Sequence, residues 1–318
     1  PPKKAARVAV LMGDPRMSDI IKPGSTWDED DVHTVNEMKK ALATLPGYEF
    51  TYFDRHDQFM TDCYKWKKDF DLVLNICDEG FYNNALFELH VPALLEIMGI
   101  PYTGGNPQCL SYCYDKSLVR GMATEMGIPV AEAYMVNPDD TTFIEVAVQF
   151  PVIIKPNMGD SSFGITADNV CEDFRQLENA LVSIRQKFGY DQPVLIEQYL
   201  TGADISVGII GNPPGQFKFL PIIEEDYSLL PEGLPRICGY EAKWDPYSPY
   251  ANIRSIPAKL DSATEQFLHA SCQKLFERLG CRDYARFDWR LDSQGTPRLL
   301  EVNPNPGWCW DGHLNKMA

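Results

Sequence analysis

Residues 285–307, ARFDWRLDSQGTPRLLEVNPNPG, carry carboxylates, a carboxamide and a guanidinium at spacings that suit one shared face. The stretch reads as a hairpin: RFDWRL, a turn marked by Gly295 and Pro297, then RLLEVN. Strand side chains alternate, so Arg286 and Asp288 fall on one side, and Phe287, Trp289 and Leu291 on the other. On the return strand Glu301 and Asn303 point together, with Leu300 and Val302 opposite. With the apolar faces in the core, Arg286, Asp288, Glu301 and Asn303 crowd one open face. Two carboxylates and a carboxamide oxygen suit Mg²⁺, a hard cation usually shared with substrate phosphates. An arginine beside them suits the phosphate itself. The competing reading is an exposed strand face holding a solvated salt bridge.

Upstream, KPNMGDSSFG is the most informative piece. Lys155 ends the apolar run PVII, where its ammonium can reach out of a sheet edge towards a phosphate. Gly159 and Gly164 permit a tight backbone, and Ser161 and Ser162 offer hydroxyl and N–H donors to anionic oxygens. The pattern GxxxxGK[ST] is absent, so this is no Walker A loop, and an ordinary hairpin turn is the alternative. Lys116 lies on a helical stretch, where a surface lysine is the default. In IEQYLTGAD a strand end can present backbone groups to a flat base edge, and Asp204 can accept bonds from a ribose.

These residues need a scaffold, and the flanking elements supply one. RVAVLM, ended by Gly13-Asp14-Pro15, reads as a buried first strand of an α/β sheet. A helix follows over 32–45, and the acidic run 28–31 sits where a helix N-terminus favours negative charge. YEFTYFD and FDLVLNIC are the next strands, followed by a helix over 85–98. Strand–helix–strand alternation implies a parallel sheet with helices on its faces, assigned to residues 1–105. A second unit, 106–196, opens with one helix spanning Asp115 and Lys116. It continues through IPVAEAYMV, a strand–loop–strand over FPVIIKPNMGDSSFGIT, and an amphipathic helix over 173–188. A third, 197–318, contains the hairpin and an irregular stretch rich in proline, tyrosine and glycine at 226–255, long enough to be a lid.

Composition narrows the partners. A length of 318 residues, 44% hydrophobic and 23% charged, describes an ordinary soluble globular chain with room for two or three domains. A net charge of −16 without a basic tract disfavours nucleic acid and anionic membranes. No apolar run approaches the ~20 residues of a membrane span, and the opening residues lack a signal-peptide core. The nine cysteines form no CxxC pair or His/Cys metal spacing, and read as reduced thiols in a cytoplasmic protein. Five scattered histidines suggest no Ser–His–Asp or Cys–His catalytic set.

From about Val91 onward the chain resembles the ATP-grasp ligases, and within them D-alanine–D-alanine ligase and its relatives. The resemblance rests on HVPALLEIMGIPYTGG, YDKSLVR, IIKPNMGDSSFGI, LIEQYLTGADISV, YEAKW, ARFDW and LLEVNPNPG, in that order. It implies a three-domain architecture, parallel α/β at the N-terminus and α+β in the ATP-binding domains. Lys116, Lys155 and Ser161 would then contact ATP phosphates, with Ser162 of the same glycine-serine loop counted among the catalytic residues. Glu197 and the Gln198–Tyr199–Leu200 backbone would hold adenine, and Asp204 the ribose. Lys243 in the lid would reach the γ-phosphate and Arg286 the developing acyl phosphate. Asp288, Glu301 and Asn303 would bind two Mg²⁺ ions, with Mn²⁺ as an alternative.

The expected reaction joins a small-molecule carboxylate to an amine through an acyl phosphate, and the enzyme is compatible with a homodimer. The family's N-terminal GGxSxE signature has no clear counterpart in MGDPRMSDII, and Trp244 stands where the ligase has tyrosine. Downstream, PGMT and a small serine give way to PGWCWDGHLNKMA. Gly307, Trp308 and Trp310, with Trp244, would therefore line a reshaped substrate pocket, and D-alanine is not the expected substrate. Two indoles suit an aromatic or basic amino acid or a small peptide, or they pack the C-terminal helix onto the core. A hydroxyl acceptor, or a non-catalytic nucleotide-binding role, stays open as an alternative.

Overall fold

The computed structural model describes residues 4–138, 140, 149–159, 162, 164–309 and 312–318. The first unit alternates β1 (Ala6–Leu11), α1 (Glu29–Ala43), β2 (Tyr48–Phe53), α2 (Phe59–Asp69), β3 (Leu72–Asn75) and α3 (His90–Met98). Its sheet is parallel in the order β2-β1-β3, as the strand–helix alternation requires. Asp28 caps α1, accepting from the N–H groups of Asp30 and Asp31, while the Asp31 side chain accepts from the Asp28 N–H. The acidic run is thus a capping box. Where one helix was expected over 85–98, a 3₁₀ turn at Ala85–Phe87 precedes α3. Asn84 closes that turn by accepting from the Leu86 N–H, and the chain resets before α3 starts.

The helix expected to span Asp115 and Lys116 is two helices, α4 (Pro107–Tyr114) and α5 (Lys116–Glu125). Asp115 is the cause: with φ −98° and ψ 106° it leaves helical geometry, and its side chain accepts from the Leu118 N–H. An aspartate at the N-cap competes for the backbone and starts a new helix. Lys116 therefore opens a helix instead of decorating one, and it is buried at 5% exposure.

The next sheet holds β4 (Ala133–Val136), β5 (Val152–Pro156), β6 (Val170–Cys171) and, beyond α6 (Phe174–Phe188), β7 (Val194–Gln198). Its order is β4-β7-β5-β6, all antiparallel. The return strand expected directly after the glycine-serine loop is displaced to β6, behind a 3₁₀ turn at Ala167–Asn169. Asn169 sets that delay, accepting from Thr166 N and donating to the Ile154 carbonyl.

The last sheet comprises β8 (Asp204–Gly211), β9 (Lys218–Phe219), β10 (Ile223–Asp226), β11 (Arg254–Pro257), β12 (Asp283–Leu291) and β13 (Pro297–Asn303). Its order is β11-β10-β8-β12-β13, with β9 on β8. Short α7 (Tyr240–Trp244) interrupts the lid stretch, α8 (Ser262–Leu279) covers the sheet, and α9 (His313–Met317) ends the chain. The main core places Phe287 and Trp289 of β12 at 0% exposure against Leu268, Cys272 and Phe276 of α8. Each such buried aromatic contributes about 1.5–3 kcal/mol.

Strict alternation predicted Leu300 and Val302 on the core face of β13. A bulge corrects this: Asp288 pairs with Glu301 but Trp289 pairs with Leu299, so Leu300 is the extra residue. Leu299 and Val302 are the buried pair, and Leu300 is half-buried.

Candidate functional site

The β12–β13 hairpin gathers its four polar residues through register. Arg286 pairs with Asn303 and Asp288 with Glu301. Arg286 Nε lies 2.9 and 3.0 Å from the two Asp288 oxygens, and Nη2 is 2.8 Å from Oδ2. Glu301 Oε1 stands 4.0 Å from the same guanidinium. From β8, Ser206 Oγ donates to Asp288 Oδ1 at 2.7 Å, and Asn303 Oδ1 accepts from the Asn305 N–H at 2.9 Å. Burial pushes the Asp288 carboxyl up, but Arg286 and these bonds outweigh it and hold the group below the usual carboxylate range. Glu301 keeps a third of its side chain open at 33%. All the donors are oxygens, and the lone pairs left on Asp288, Glu301 and Asn303 fit a hard divalent cation.

A wall of paired charges stands upstream. Glu197 of β7 is 1% exposed and sits between Arg120, at 2.9 Å, and Lys155 of β5. Lys116 Nζ donates to the Gly159 carbonyl. Asn157 ties the two segments, accepting from the Ser117 N–H at 3.0 Å and donating to Asp115 at 2.8 Å. A small cleft is lined by Lys116, Pro156, Met158, Gly159, Ser162, Ile165 and Glu301. The glycine-serine loop and the hairpin, more than a hundred residues apart in sequence, therefore face one opening.

Leu200 is buried, while the Gln198 and Tyr199 N–H groups donate to the Glu132 and Pro151 carbonyls. Tyr199 also donates its hydroxyl to the Arg236 carbonyl at 3.1 Å. Asp204 receives the Tyr227 hydroxyl and lies 3.4 Å from Arg290, whose guanidinium stacks 5.1 Å from the Tyr199 ring. Burial raises the Asp204 carboxyl against the opposing pull of Arg290.

The stretch 226–255 docks on its neighbours. Ser162 Oγ donates to the Cys238 carbonyl at 3.1 Å, and Tyr240 N–H to the Ile165 carbonyl at 2.7 Å. Lys243 of α7 is exposed. Trp244 meets the N-terminal loop instead: Lys22 Nζ lies 5.4 Å from its ring and 5.4 Å from that of Trp27. Gly307 closes on Asp78, where a Cβ would stand 2.9 Å from Oδ2. Trp308 packs edge-on against Tyr284, centroids 5.2 Å apart, and bridges two apolar clusters. Ser161 and Trp310 lie outside the described residues.

Sequence reasoning missed several groups here. Arg120, Ser206 and Arg290 satisfy buried carboxylates, but isolated arginines and serines carry no spacing signal. His313, Glu225 and Cys238 converge from separate segments, as do Cys109, Cys113 and Cys281. Asp78 and Glu79 follow β3, and Glu79 Oε2 is buried with no hydrogen bond. Burial raises both carboxyls, Glu79 further because Asp78 is beside it.

Comparison with known proteins gives these features a family. The model described as D-ala D-ala ligase C-terminus matches residues 122–317. The uncharacterized protein y4sG of Sinorhizobium fredii is 32% identical over 74% of this chain, which spans 66% of that relative's length. Vancomycin/teicoplanin A-type resistance protein VanA of Enterococcus faecium is 31% identical, covering 76% of this chain and 68% of its own. Among solved structures, D-alanine–D-alanine ligase from Bacillus anthracis complexed with ATP superposes with a TM-score of 0.70. It covers 98% of this chain and 91% of its own at 21% identity, a likeness of fold.

Proposed function

Because the chain belongs to the D-alanine–D-alanine ligase family of ATP-dependent ATP-grasp ligases, we propose that it joins a carboxylate to an amine through an acyl phosphate. The observation that carries this reading is the cleft shared by Lys116, Gly159, Ser162 and Glu301. An anion-binding loop and a cation-binding carboxylate facing one space is what phosphoryl transfer to a carboxylate needs.

In this reading residues 1–105, 106–196 and 197–318 form three units around the cleft. Lys116 and Lys155 hold ATP phosphates, Ser162 and Ser161 donate to them, and Glu197, Gln198, Tyr199, Leu200 and Asp204 line the nucleoside side. Asp288, Glu301 and Asn303 would hold Mg²⁺, which when bound neutralises charge on the transferring phosphoryl group. Arg286, already fixed by Asp288, is aimed to stabilise charge developing on the acyl phosphate. Lys243 enters as α7 closes, and residues 226–255 keep water from the activated carboxylate. The amine then attacks the acyl carbon and phosphate leaves.

Substrate recognition falls to Gly307, Trp308, Trp310 and Trp244, together with Asp78 and Glu79. The raised Asp78 and Glu79 carboxyls, with Glu79 Oε2 buried and unpaired, support a substrate carrying a cationic amine, so an amino acid or small peptide other than D-alanine is proposed. The test is ADP release with Mg²⁺ across carboxylate and amine pairs, with amino acids and dipeptides as the panel. Release should require a matched pair and be highest with basic partners. Release that is absent throughout, or indifferent to both substrates, overturns the reading.

A further inference from the structure

Ser206 Oγ donates its proton to Asp288 Oδ1 at 2.7 Å, so towards His313 Nδ1, 3.4 Å away, it can only accept. A ring proton on Nδ1 would satisfy that contact and leave Nε2 a bare lone pair. Nε2 faces Glu225 Oε1 at 3.2 Å. Two lone pairs at that distance need a positive particle between them, either a proton or a metal ion. The Cys238 sulfur completes the set, the three donor atoms all lying within 4.8 Å of one another. They come from the end of β10, the residue before Gly239 at the head of α7, and the start of α9.

We propose that Glu225, Cys238 and His313 form a binding site for one Zn²⁺ ion, with the fourth position open to water or to a substrate group. Imidazole, thiolate and carboxylate together select a borderline-soft ion over Mg²⁺. Three protein ligands and an opening are the arrangement of a reactive zinc site, not of a closed structural one. Bond lengths of about 2.0–2.3 Å place tetrahedral ligands roughly 3.3–3.8 Å apart, so the cluster has only to contract slightly. The supporting bonds exist already: Ser206 orients His313, and Ser255 Oγ donates to Glu225 Oε1 at 2.9 Å.

The surrounding charge is mixed. Arg286, Lys243 and Lys316 face His313, while Asp204 and Asp288 face Glu225 and Cys238. Burial lowers His313 to about 3, raises Glu225, and pushes Cys238 up to about 12. Binding replaces the Cys238 S–H bond by an S–Zn bond and displaces the proton held between Glu225 and His313, both protons passing to solvent, so affinity rises with pH. This site is independent of the ligase reading, because its occupancy is read without turnover.

The test uses the full chain, stripped with a chelator and titrated with Co²⁺ as a spectroscopic stand-in, then with Zn²⁺. A thiolate-to-cobalt charge-transfer band should appear and be displaced by Zn²⁺. Cys238→Ser should abolish the band, and Glu225→Gln and His313→Gln should each weaken Zn²⁺ binding by about tenfold or more. Cys281→Ser controls for the separate Cys109, Cys113 and Cys281 group and should leave the band intact. No band, or a band that survives Cys238→Ser and vanishes with Cys281→Ser, overturns the proposal. Should a variant fail to fold, alkylation of the wild-type chain decides. Zn²⁺ must protect Cys238 in peptide mass spectra, and equal labelling with and without Zn²⁺ rejects the site.

Discussion

Arg286 holds both oxygens of Asp288, within 2.8–3.0 Å, while standing 4.0 Å from Glu301. One carboxylate on the hairpin is therefore committed to the guanidinium and the other is not. Asp288 therefore carries two duties, fixing the arginine and offering its remaining lone pairs to a cation, whereas Glu301 is open to the cation alone. Breaking a buried ion pair by removing one partner costs about 3–5 kcal/mol, whereas the more exposed Glu301 is structurally dispensable.

That asymmetry makes the first prediction. Glu301→Gln should keep the wild-type melting temperature within a few degrees yet lower Mg²⁺-dependent ADP release by about 10²-fold or more. Asp288→Asn should lose both activity and stability. Calorimetry alongside a coupled ADP assay separates the two, and a Glu301→Gln protein with full turnover removes the hairpin from the mechanism.

The second prediction concerns Asp115. Its side chain caps α5 and accepts from Ser117, Leu118 and Asn157, and so places Lys116 over Gly159. Burial pushes this carboxyl up, but those hydrogen bonds win and leave it lowered. Asp115→Ala should cost about 0.5–2 kcal/mol at neutral pH and raise the KM for ATP. An acid lowered by folding stabilises above its unfolded pKa of about 3.9 and loses that contribution as pH falls through the folded value. The stability gap between wild type and variant should accordingly narrow in acid. A constant gap down to low pH would show that the ionised cap is not the source.

How much of this was readable in advance differs by residue. The Arg286, Asp288, Glu301 and Asn303 face followed from alternation alone, since register carried it. Leu300 did not, because a bulge leaves no mark in a run of apolar residues. Lys116 was misplaced because its helix looked continuous through Asp115, and only the cap geometry reveals the break. Glu225, Cys238 and His313 were unreadable in principle: their spacings, thirteen and seventy-five residues, reflect three segments meeting in space. Trp308 was legible as important but not as to kind, since the same indole serves a core or a pocket.

The lid gives the third prediction. Residues 226–255 meet the glycine-serine loop through Ser162 to Cys238 and Tyr240 to Ile165. Parting these two bonds is a local opening, distinct from unfolding the strands at either end of the stretch. Hydrogen exchange there should be fast without ligand and slow with an ATP analogue and Mg²⁺. Exchange unaffected by ligand would make the stretch a static surface and withdraw the role given to Lys243.

The last prediction sets stability against function at Asp78 and Glu79. Burial raises both carboxyls, the charge of Asp78 adds to the rise at Glu79, and Lys22 only partly compensates. An acid whose pKa rises on folding binds its proton more tightly in the native state, so its ionisation destabilises the fold as pH climbs through the raised value. Glu79→Gln removes that penalty. The variant should be more stable than wild type at neutral pH, with the gain disappearing near the unfolded glutamate pKa of about 4.3. Natural proteins retain such a liability where the group serves a ligand, here a cationic amine beside Gly307. Glu79→Gln should therefore raise the KM for a basic substrate by about tenfold or more, the size of a lost charge-assisted bond of roughly 1.5–3 kcal/mol, while the KM for ATP stays put. Matched kinetics and melting curves over the substrate panel test both halves together. A variant that gains stability but keeps the wild-type preference would leave the acid pair without a substrate to recognise.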